Sequence, residues 1–162
     1  MAKIERKYLA HFINTAASGS GAEYERLGKD LEEYSPEMAA EVETAKNILG
    51  ETSILISSYE KTGTVEPYYA EKDSKLFARL QEIIDGNLVL DDLKTDVVEV
   101  KLWEAETSGA YPAIKEEAYI EITSYGGDTT GYQIPFTLHY TGKKTVGTFN
   151  PSEETFTAAA AG

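Results

Sequence analysis

The stretch that decides the fold reads AYIEITSY at 118–125, GGDTTG at 126–131 and YQIPFTLHY at 132–140. Apolar residues occupy every second position at 118, 120 and 122, and again at 134, 136, 138 and 140. Side chains that alternate in this way belong to strands with one buried face. Two strands joined by a glycine-rich break form a hairpin. Because the break is six residues long, we expect an exposed, mobile tip that could touch a neighbouring molecule.

A second break, TGKK at 141–144, predicts a turn at Gly142 and a third short strand at 145–149. Pro135 has no N–H to donate to a ladder. The strand that contains it therefore has an edge, a bulge or a solvent-facing amide at that point.

The rest of the chain adds strands and one helix. Apolar patterns predict strands at 7–14, 42–48, 53–60 and 96–104, and an irregular extended segment at 64–70. Apolar residues at 76, 77, 80, 83 and 84 lie on one face of a helix that begins at Asp73 or Ser74 and ends at Gly86.

The connections are of uneven length. We expect a long loop at about 15–40, a linker or short strand at 88–93, a loop at 107–112 and a frayed tail at 158–162. The fold class is thus mainly β, a β-sandwich or partly rolled barrel with one flanking α-helix, in a single domain spanning 1–162.

The composition restricts the partners. The chain has 28 acidic and 15 basic side chains among 162 residues, a net charge of −13. This charge argues against direct binding to nucleic acid or to anionic membranes. The chain has no cysteine, which excludes disulfides and thiolate chemistry. No apolar run approaches the roughly 20 residues of a membrane span.

Catalytic patterns are lacking, so we predict that the protein is not an enzyme and has no metal or cofactor. The two histidines, His11 and His139, lie in predicted strands and lack a third ligand at metal-binding spacing. Acidic pairs such as Asp91 and Asp92 fit a solvated surface better than a calcium loop. The glycine-rich segment at 126–131 leads into a strand, whereas phosphate-binding loops lead into a helix.

The chain has eleven tyrosines, several of which fall near strand ends or on the polar side of strands. Tyrosine in such positions favours interfaces between molecules, and packing at sheet edges within one subunit is an equal alternative.

Several segments together carry a resemblance: YERLGK at 24–29, KNILG at 46–50, VEPYY at 65–69 before the helix, SYGG at 124–127 and GTF at 147–149. In their order over nearly the whole chain, they resemble the major tail tube proteins of long-tailed (siphovirus-like) bacteriophages of Gram-positive hosts. None of these segments is a catalytic fingerprint, so the resemblance rests on overall order.

The resemblance implies a β-sandwich with a flanking helix that assembles into hexameric rings. The rings would stack into a hollow tube through which DNA passes without specific binding. It also implies tape measure, tail terminator and distal tail proteins as partners, synthesis in the bacterial host cytoplasm and a final location in the virion. Sheets from neighbouring subunits would close side by side, which removes exposed edges.

The same resemblance assigns two sets of surface residues. Candidate inter-ring contacts are Ser18, Gly19, Ser20, Gly21, Tyr24, Arg26, Gly126, Gly127, Asp128 and Thr129. Candidate lumen-facing residues are Glu41, Glu43, Glu99 and Glu121. An acidic lumen suits a DNA conduit, because a basic one would hold each phosphate. A ring of six would carry a charge of about −78, so we expect assembly to depend on salt.

Two other readings remain open from the sequence. The chain could be a tube subunit of a contractile tail or of an injection device with the same fold. Alternatively, it could be an acidic β-sandwich module that binds a carbohydrate or cell-surface ligand through its tyrosine-rich loops. A hydrolase is a distant third, for want of a nucleophile and base pair.

Overall fold

The structure is a computed structural model and describes residues 2–16, 21–29, 31 and 33–159. Eleven strands and one α-helix make up the described part, together with short 3₁₀ helices at Arg6–Tyr8 and Leu90–Leu93. The helix α1 spans Lys75–Gly86. The strands are β1 Leu9–Asn14, β2 Tyr24–Leu27, β3 Ala40–Lys46, β4 Thr52–Tyr59, β5 Thr62–Val65, β6 Lys94–Lys101, β7 Tyr111–Ile122, β8 Gly126–Asp128, β9 Gly131–Gln133, β10 Phe136–Asn150 and β11 Thr155–Ala158.

Seven strands form one antiparallel sheet in the order β11-β10-β7-β6-β1-β2, and β5 pairs with the first half of β10. Strands β3 and β4 form a separate two-stranded sheet, as do β8 and β9. The predicted mainly β fold with one flanking helix is confirmed.

The main sheet curls strongly into a half-barrel. Phe149 on β10 lies 4.4 Å from Phe12 on β1 and 5.6 Å from Tyr24 on β2, measured between ring centroids. Because β7 and β6 separate β10 from β1 within the sheet, these contacts arise only where the sheet bends back on itself. Phe149 is fully buried and sits at the centre of a core cluster on the inner side of the curl. The cluster therefore holds together strands that are not neighbours.

Helix α1 covers the opposite face of the sheet. Leu76, Leu80 and Ile83 are buried in a second core with strand residues such as Ile120 and Phe136. Burial of each such side chain contributes about 1.5–3 kcal/mol. Arg79 is also buried, and its guanidinium donates to the backbone carbonyls of Ala16, Asp92 and Lys94. The helix is thus attached by apolar packing and by the hydrogen bonds of the Arg79 side chain.

The helix begins where the sequence predicts. Ser74 is the N-cap, and its hydroxyl accepts a hydrogen bond from Phe77 N–H at 3.3 Å. At the other end Gly86 is the last helical residue, and Asn87 adopts the left-handed conformation with φ of 47°. The helix therefore ends at Gly86, as predicted, and Asn87 is the left-handed residue that follows it. Asparagine tolerates this conformation better than most residues, because its short side chain can hydrogen-bond locally.

The long loop predicted at 15–40 was wrong in its centre. Tyr24–Leu27 forms β2, which pairs with β1 and buries Tyr24 and Leu27 on opposite faces of the sheet. The segment has only four residues, too few for its alternation to be recognised by period alone. In the 88–93 segment, the predicted linker or short strand is partly a 3₁₀ helix.

The predicted turn at Gly142 was also wrong. Strand β10 runs without a break from Phe136 to Asn150, and its register with β7 shifts between Tyr140 and Lys144. Three residues of β10 stand opposite Glu117 alone, so the extra residues form a bulge. Gly142 has a φ of 88°, which suits glycine at such an irregularity. Of the predicted frayed tail, Ala158 pairs with Gly147, and residues 160–162 lie outside the described residues.

The cap at Ser74 gives a stability prediction. Replacement Ser74→Ala removes the acceptor for Phe77 N–H and a hydrogen bond of 2.9 Å to the Glu25 carboxylate. We expect the free energy of unfolding to fall by about 1 kcal/mol. Urea denaturation followed by circular dichroism measures this change. The control Ser152→Ala, in an exposed turn remote from the helix, should leave the unfolding midpoint unchanged.

Candidate assembly surface

Strands β3 and β4 form an arm that projects from the main sheet, and we call residues Ala40–Tyr59 the arm. Every residue of both strands is exposed. The arm is rooted on β5, where Glu37 pairs with Thr62 and Glu60 N–H donates to the carbonyl of Ala39. Eight extended residues span roughly 27 Å. Each arm strand has a strand partner on one side only, so both outer edges carry unpaired backbone groups.

One face of the arm is apolar. Directly opposed residues on antiparallel strands share a face, and Val42 stands opposite Ile56 while Thr44 stands opposite Ile54. Tyr59 joins this face because it stands opposite Ala40. The exposed fractions of Val42, Ile54 and Ile56 are 56%, 69% and 50%. Because these large side chains are left exposed, this face is a candidate interaction surface.

The other face of the arm is mainly acidic and polar. Glu43 stands opposite Leu55 and Ala45 opposite Ser53, and Glu41 lies on the same side two residues before Glu43. Leu55 is the one large apolar side chain on this face, and it is 59% exposed. The arm therefore has one face suited to burial and one suited to water.

The tip of the arm is a tight turn held by Asn47. Its side-chain oxygen accepts from the N–H groups of Leu49 and Glu51 at 2.9 and 3.0 Å. Gly50 has a φ of 79°, which other residues rarely adopt. The turn pushes Ile48 and Leu49 outward, so that the arm ends in two large exposed aliphatic side chains.

The predicted lumen residues do not share one surface. Glu41 and Glu43 lie on the acidic face of the arm. Glu121 is exposed on the face of β7 opposite the helix, and its carboxylate lies 2.6 Å from Nε2 of His139. Glu99 is half-buried on the helix side, where it pairs with His11 across β1 and β6. Glu99 and Glu121 therefore point to opposite sides of the sheet.

The predicted inter-ring contacts fall in two regions. In the first, Ser18, Gly19 and Ser20 lie outside the described residues, while Gly21 is exposed. Tyr24 is buried, and its hydroxyl donates to Asp96, while burial raises the pKa of this phenol. Tyr24 is therefore a core residue and is not free for an inter-ring contact. Arg26 is exposed and donates to the carbonyl of Lys7 at 2.9 Å.

The second region is the hairpin tip at 126–131. Gly126, Gly127, Asp128 and Thr129 are all exposed, in agreement with the predicted exposed tip, but the segment forms the short hairpin β8–β9. Hydrogen bonds from Thr130 to the Asp128 carboxylate lower the pKa of Asp128. The hairpin also attaches to the body, because Ala70 N–H donates to the carbonyl of Tyr132.

The tyrosines divide between the two roles left open by the sequence. Tyr68 packs against the helix-side core and meets Phe136 edge to face at 5.8 Å. Tyr59 and Tyr125 are 55% and 63% exposed. Packing within the subunit thus accounts for Tyr68, whereas Tyr59 and Tyr125 remain exposed and available to a partner.

A buried polar cluster includes the side chains of Tyr34 and Lys61. Lys61 forms an ion pair of 2.9 Å with Glu116, the hydroxyls of Tyr34 and Tyr140 lie 2.6 Å apart, and the ring of His11 meets Tyr34 edge to face. Burial, together with the charge of Arg6, lowers the pKa of His11 to about 3. The cluster is satisfied within the chain and is structural. Among the described residues, no group of His, Cys, Asp and Glu could hold a metal ion.

The exposed arm was missed from the sequence, although a signal was present. Ile54, Leu55 and Ile56 are consecutive, which places large apolar side chains on both faces of one strand. Such a run is typical of a strand that is covered on both sides. From the sequence, this run predicts an ordinary core strand, because the sequence does not show that no other segment of the chain packs over it.

Neither a model of a known protein family nor a curated protein sequence matches this chain. In the described part of the chain, no helix is long and apolar enough to cross a membrane.

The exposure of the arm can be tested in the monomer. The triple replacement of Val42, Ile54 and Ile56 by threonine keeps β-branched side chains on the strands. We expect each replacement to change the free energy of unfolding by at most about 0.5 kcal/mol, because all three side chains are at least half exposed and little buried surface is lost. The fluorescence of a hydrophobic dye bound to the protein should be lower for the triple variant than for the unmodified chain. The control Ile120→Thr, at a fully buried position of β7, should cost roughly 2–3 kcal/mol.

His11 predicts a loss of stability in acid. Its pKa is about 3 in the folded chain and 6.5 in the unfolded chain. Below about pH 6.5 the unfolded state therefore binds a proton that the folded state does not, so stability falls as the pH falls. The contribution approaches about 1.4 kcal/mol per pH unit. Denaturation curves at about pH 6 and pH 4 measure it. In His11→Phe, which keeps an aromatic ring beside Tyr34, this part of the slope should disappear.

Proposed function

We propose that this protein is a non-enzymatic structural subunit that polymerises as stacked rings into a hollow tube, the tail tube of a long-tailed bacteriophage. The single observation that carries the proposal is the arm, with its apolar face and two unpaired edges exposed. The ring number of six comes from the resemblance to major tail tube proteins.

An isolated subunit leaves the apolar face and the strand edges of the arm exposed to water, which is unfavourable. Large exposed aliphatic side chains and free strand edges promote association between chains. Natural monomers blunt such edges with charge, proline or bulges, and the arm has one register irregularity, between Glu41 and Val42 near its root. The apolar face of the arm carries one charge, Lys46 at the tip end, and the Val42 and Ile56 pair stands at its centre. A partner that covers this face is therefore part of the working form of the protein.

The charge distribution supports a channel for DNA. The chain carries a net charge of −13, and Glu41 and Glu43 lie together on the polar face of the arm. When the apolar face packs against a neighbour, these carboxylates remain in solvent on the other face. A wall lined in this way repels the phosphate backbone and lets it slide. The DNA would pass without specific binding.

The partners and location included in the proposal are those implied by the resemblance to major tail tube proteins. Tape measure, tail terminator and distal tail proteins would meet the tube inside and at its ends. The subunit would be made in the bacterial host cytoplasm and end in the virion. A tube subunit of a contractile tail or injection device would share the fold, and co-purification with a sheath protein would favour it.

Two adjacent residues of β4 provide a test of the tube. Ile54→Glu places a charge on the apolar face, whereas Ser53→Glu places the same charge on the acidic face. We expect the first variant to remain a folded monomer and the second to assemble, since only the first charge becomes buried. Negative-stain electron microscopy of concentrated protein measures the result, with the unmodified chain forming rings or tubes more readily at high salt.

Three outcomes would count against the proposal. Tubes that form equally well at all ionic strengths contradict the acidic wall. Normal assembly of Ile54→Glu contradicts the role of the arm. An unmodified chain that stays monomeric and binds glycans through its tyrosine-rich loops supports the ligand-binding module instead.

A further inference from the structure

An open groove lies where helix α1 ends and β7 runs past the start of β6. It encloses about 730 Å³ and is lined mainly by apolar side chains. Leu88 and Val89 line one side, and Ile122 and Tyr125 line the other. Val89 and Tyr125 are 62% and 63% exposed, and Leu90 beside them is 79% exposed. This is a second apolar surface of the described chain, separate from the arm.

The groove contains a free strand edge. Strand β6 begins at Lys94, which pairs with Tyr119, so the end of β7 extends beyond it. Thr123 N–H donates to the carbonyl of Pro135 on the β10 side. Because backbone groups alternate along a strand, the N–H and C=O of Ile122 point to the other side, into the groove. An edge of this kind accepts an added strand.

The two faces of this edge match those of the arm. At the end of β7, Ile120 and Ile122 lie on the helix side, and Glu121 lies on the opposite side. In the arm, the residues around Val42 are apolar on one face, and Glu43 lies on the other. A strand of the arm that continues the sheet beyond β7 would bring the apolar face of the arm beneath Leu88. The carboxylates of Glu43 and Glu121 would then lie on one common surface.

We infer that the groove receives the arm of a second copy of this chain, which adds a strand to the free edge of β7. This inference rests on the proposed function and names the contact that would join neighbouring subunits. The arm and the groove are different surfaces, so the contact is heterologous and propagates head to tail. Such contacts close into rings or extend into filaments. The common acidic surface also accounts for a salt-dependent assembly.

A mixing experiment tests the contact. The arm variant Ile54→Glu keeps an intact groove, and the groove variant Val89→Asp/Tyr125→Asp keeps an intact arm; all three positions are exposed in the monomer. Each variant alone should be monomeric. An equimolar mixture should form a 1:1 dimer of twice the 17.8 kDa chain mass, measured by analytical ultracentrifugation. Ser152→Asp, which adds a charge to an exposed turn, should assemble like the unmodified chain.

Hydrogen exchange in the mixed dimer identifies which surfaces meet. Residues 119–125 should become protected only in the arm variant, and residues 40–59 only in the groove variant. A mixture that stays monomeric, or protection of the arm in both variants, overturns the inference.

The two proposals fail in different ways. If the unmodified chain forms tubes while the mixture gives no dimer, the arm-to-groove contact is wrong and the tube proposal stands. If the mixture gives the dimer while the unmodified chain forms only irregular oligomers, the contact stands and the tube proposal is wrong.

Discussion

Each strand in a sheet carries backbone donors and acceptors along two edges, and apolar side chains on its faces need cover from water. The main sheet of this protein meets both needs over most of its area, through the curl around Phe149 and through helix α1. The arm meets neither need, since both of its strands are exposed and have one partner each. The structure thus combines a well-packed body with an arm whose apolar face and strand edges are covered only when another surface packs against them.

The charged side chains of the protein also fall into two groups, one enclosed in the body and one exposed on open faces. Arg79, Lys61 and Glu116 are enclosed, and each has carbonyl or ion-pair partners that offset the loss of water. The carboxylates of Glu41, Glu43 and Glu121 stay in water on open faces. Enclosed charges thus stabilise the subunit, while the open carboxylates set how subunits repel one another and how they meet a polyanion such as DNA.

Local patterns predicted much of the fold, since they report the surroundings of each residue at short range. The alternation from Ala118 to Tyr140 located the second half of β7 and the first half of β10. The spacing from Leu76 to Ile84 located α1 with its cap at Ser74. The failures share one cause. The Gly142 break and the β2 segment depend on partners distant in sequence, because a bulge exists only against a facing strand and a four-residue strand is stable only beside another.

The sequence by itself determined the mainly β class, the single helix, the acidic charge and the absence of cysteine chemistry, because composition and periodicity act residue by residue. It also placed the arm strands near their observed bounds, from Val42 onward and from Ser53 onward. Only the tertiary structure decided that these strands leave the body, that Tyr24 belongs to the core and that Glu99 and Glu121 face opposite ways. Exposure and facing are properties of the whole packing, since they depend on which distant segments cover a residue.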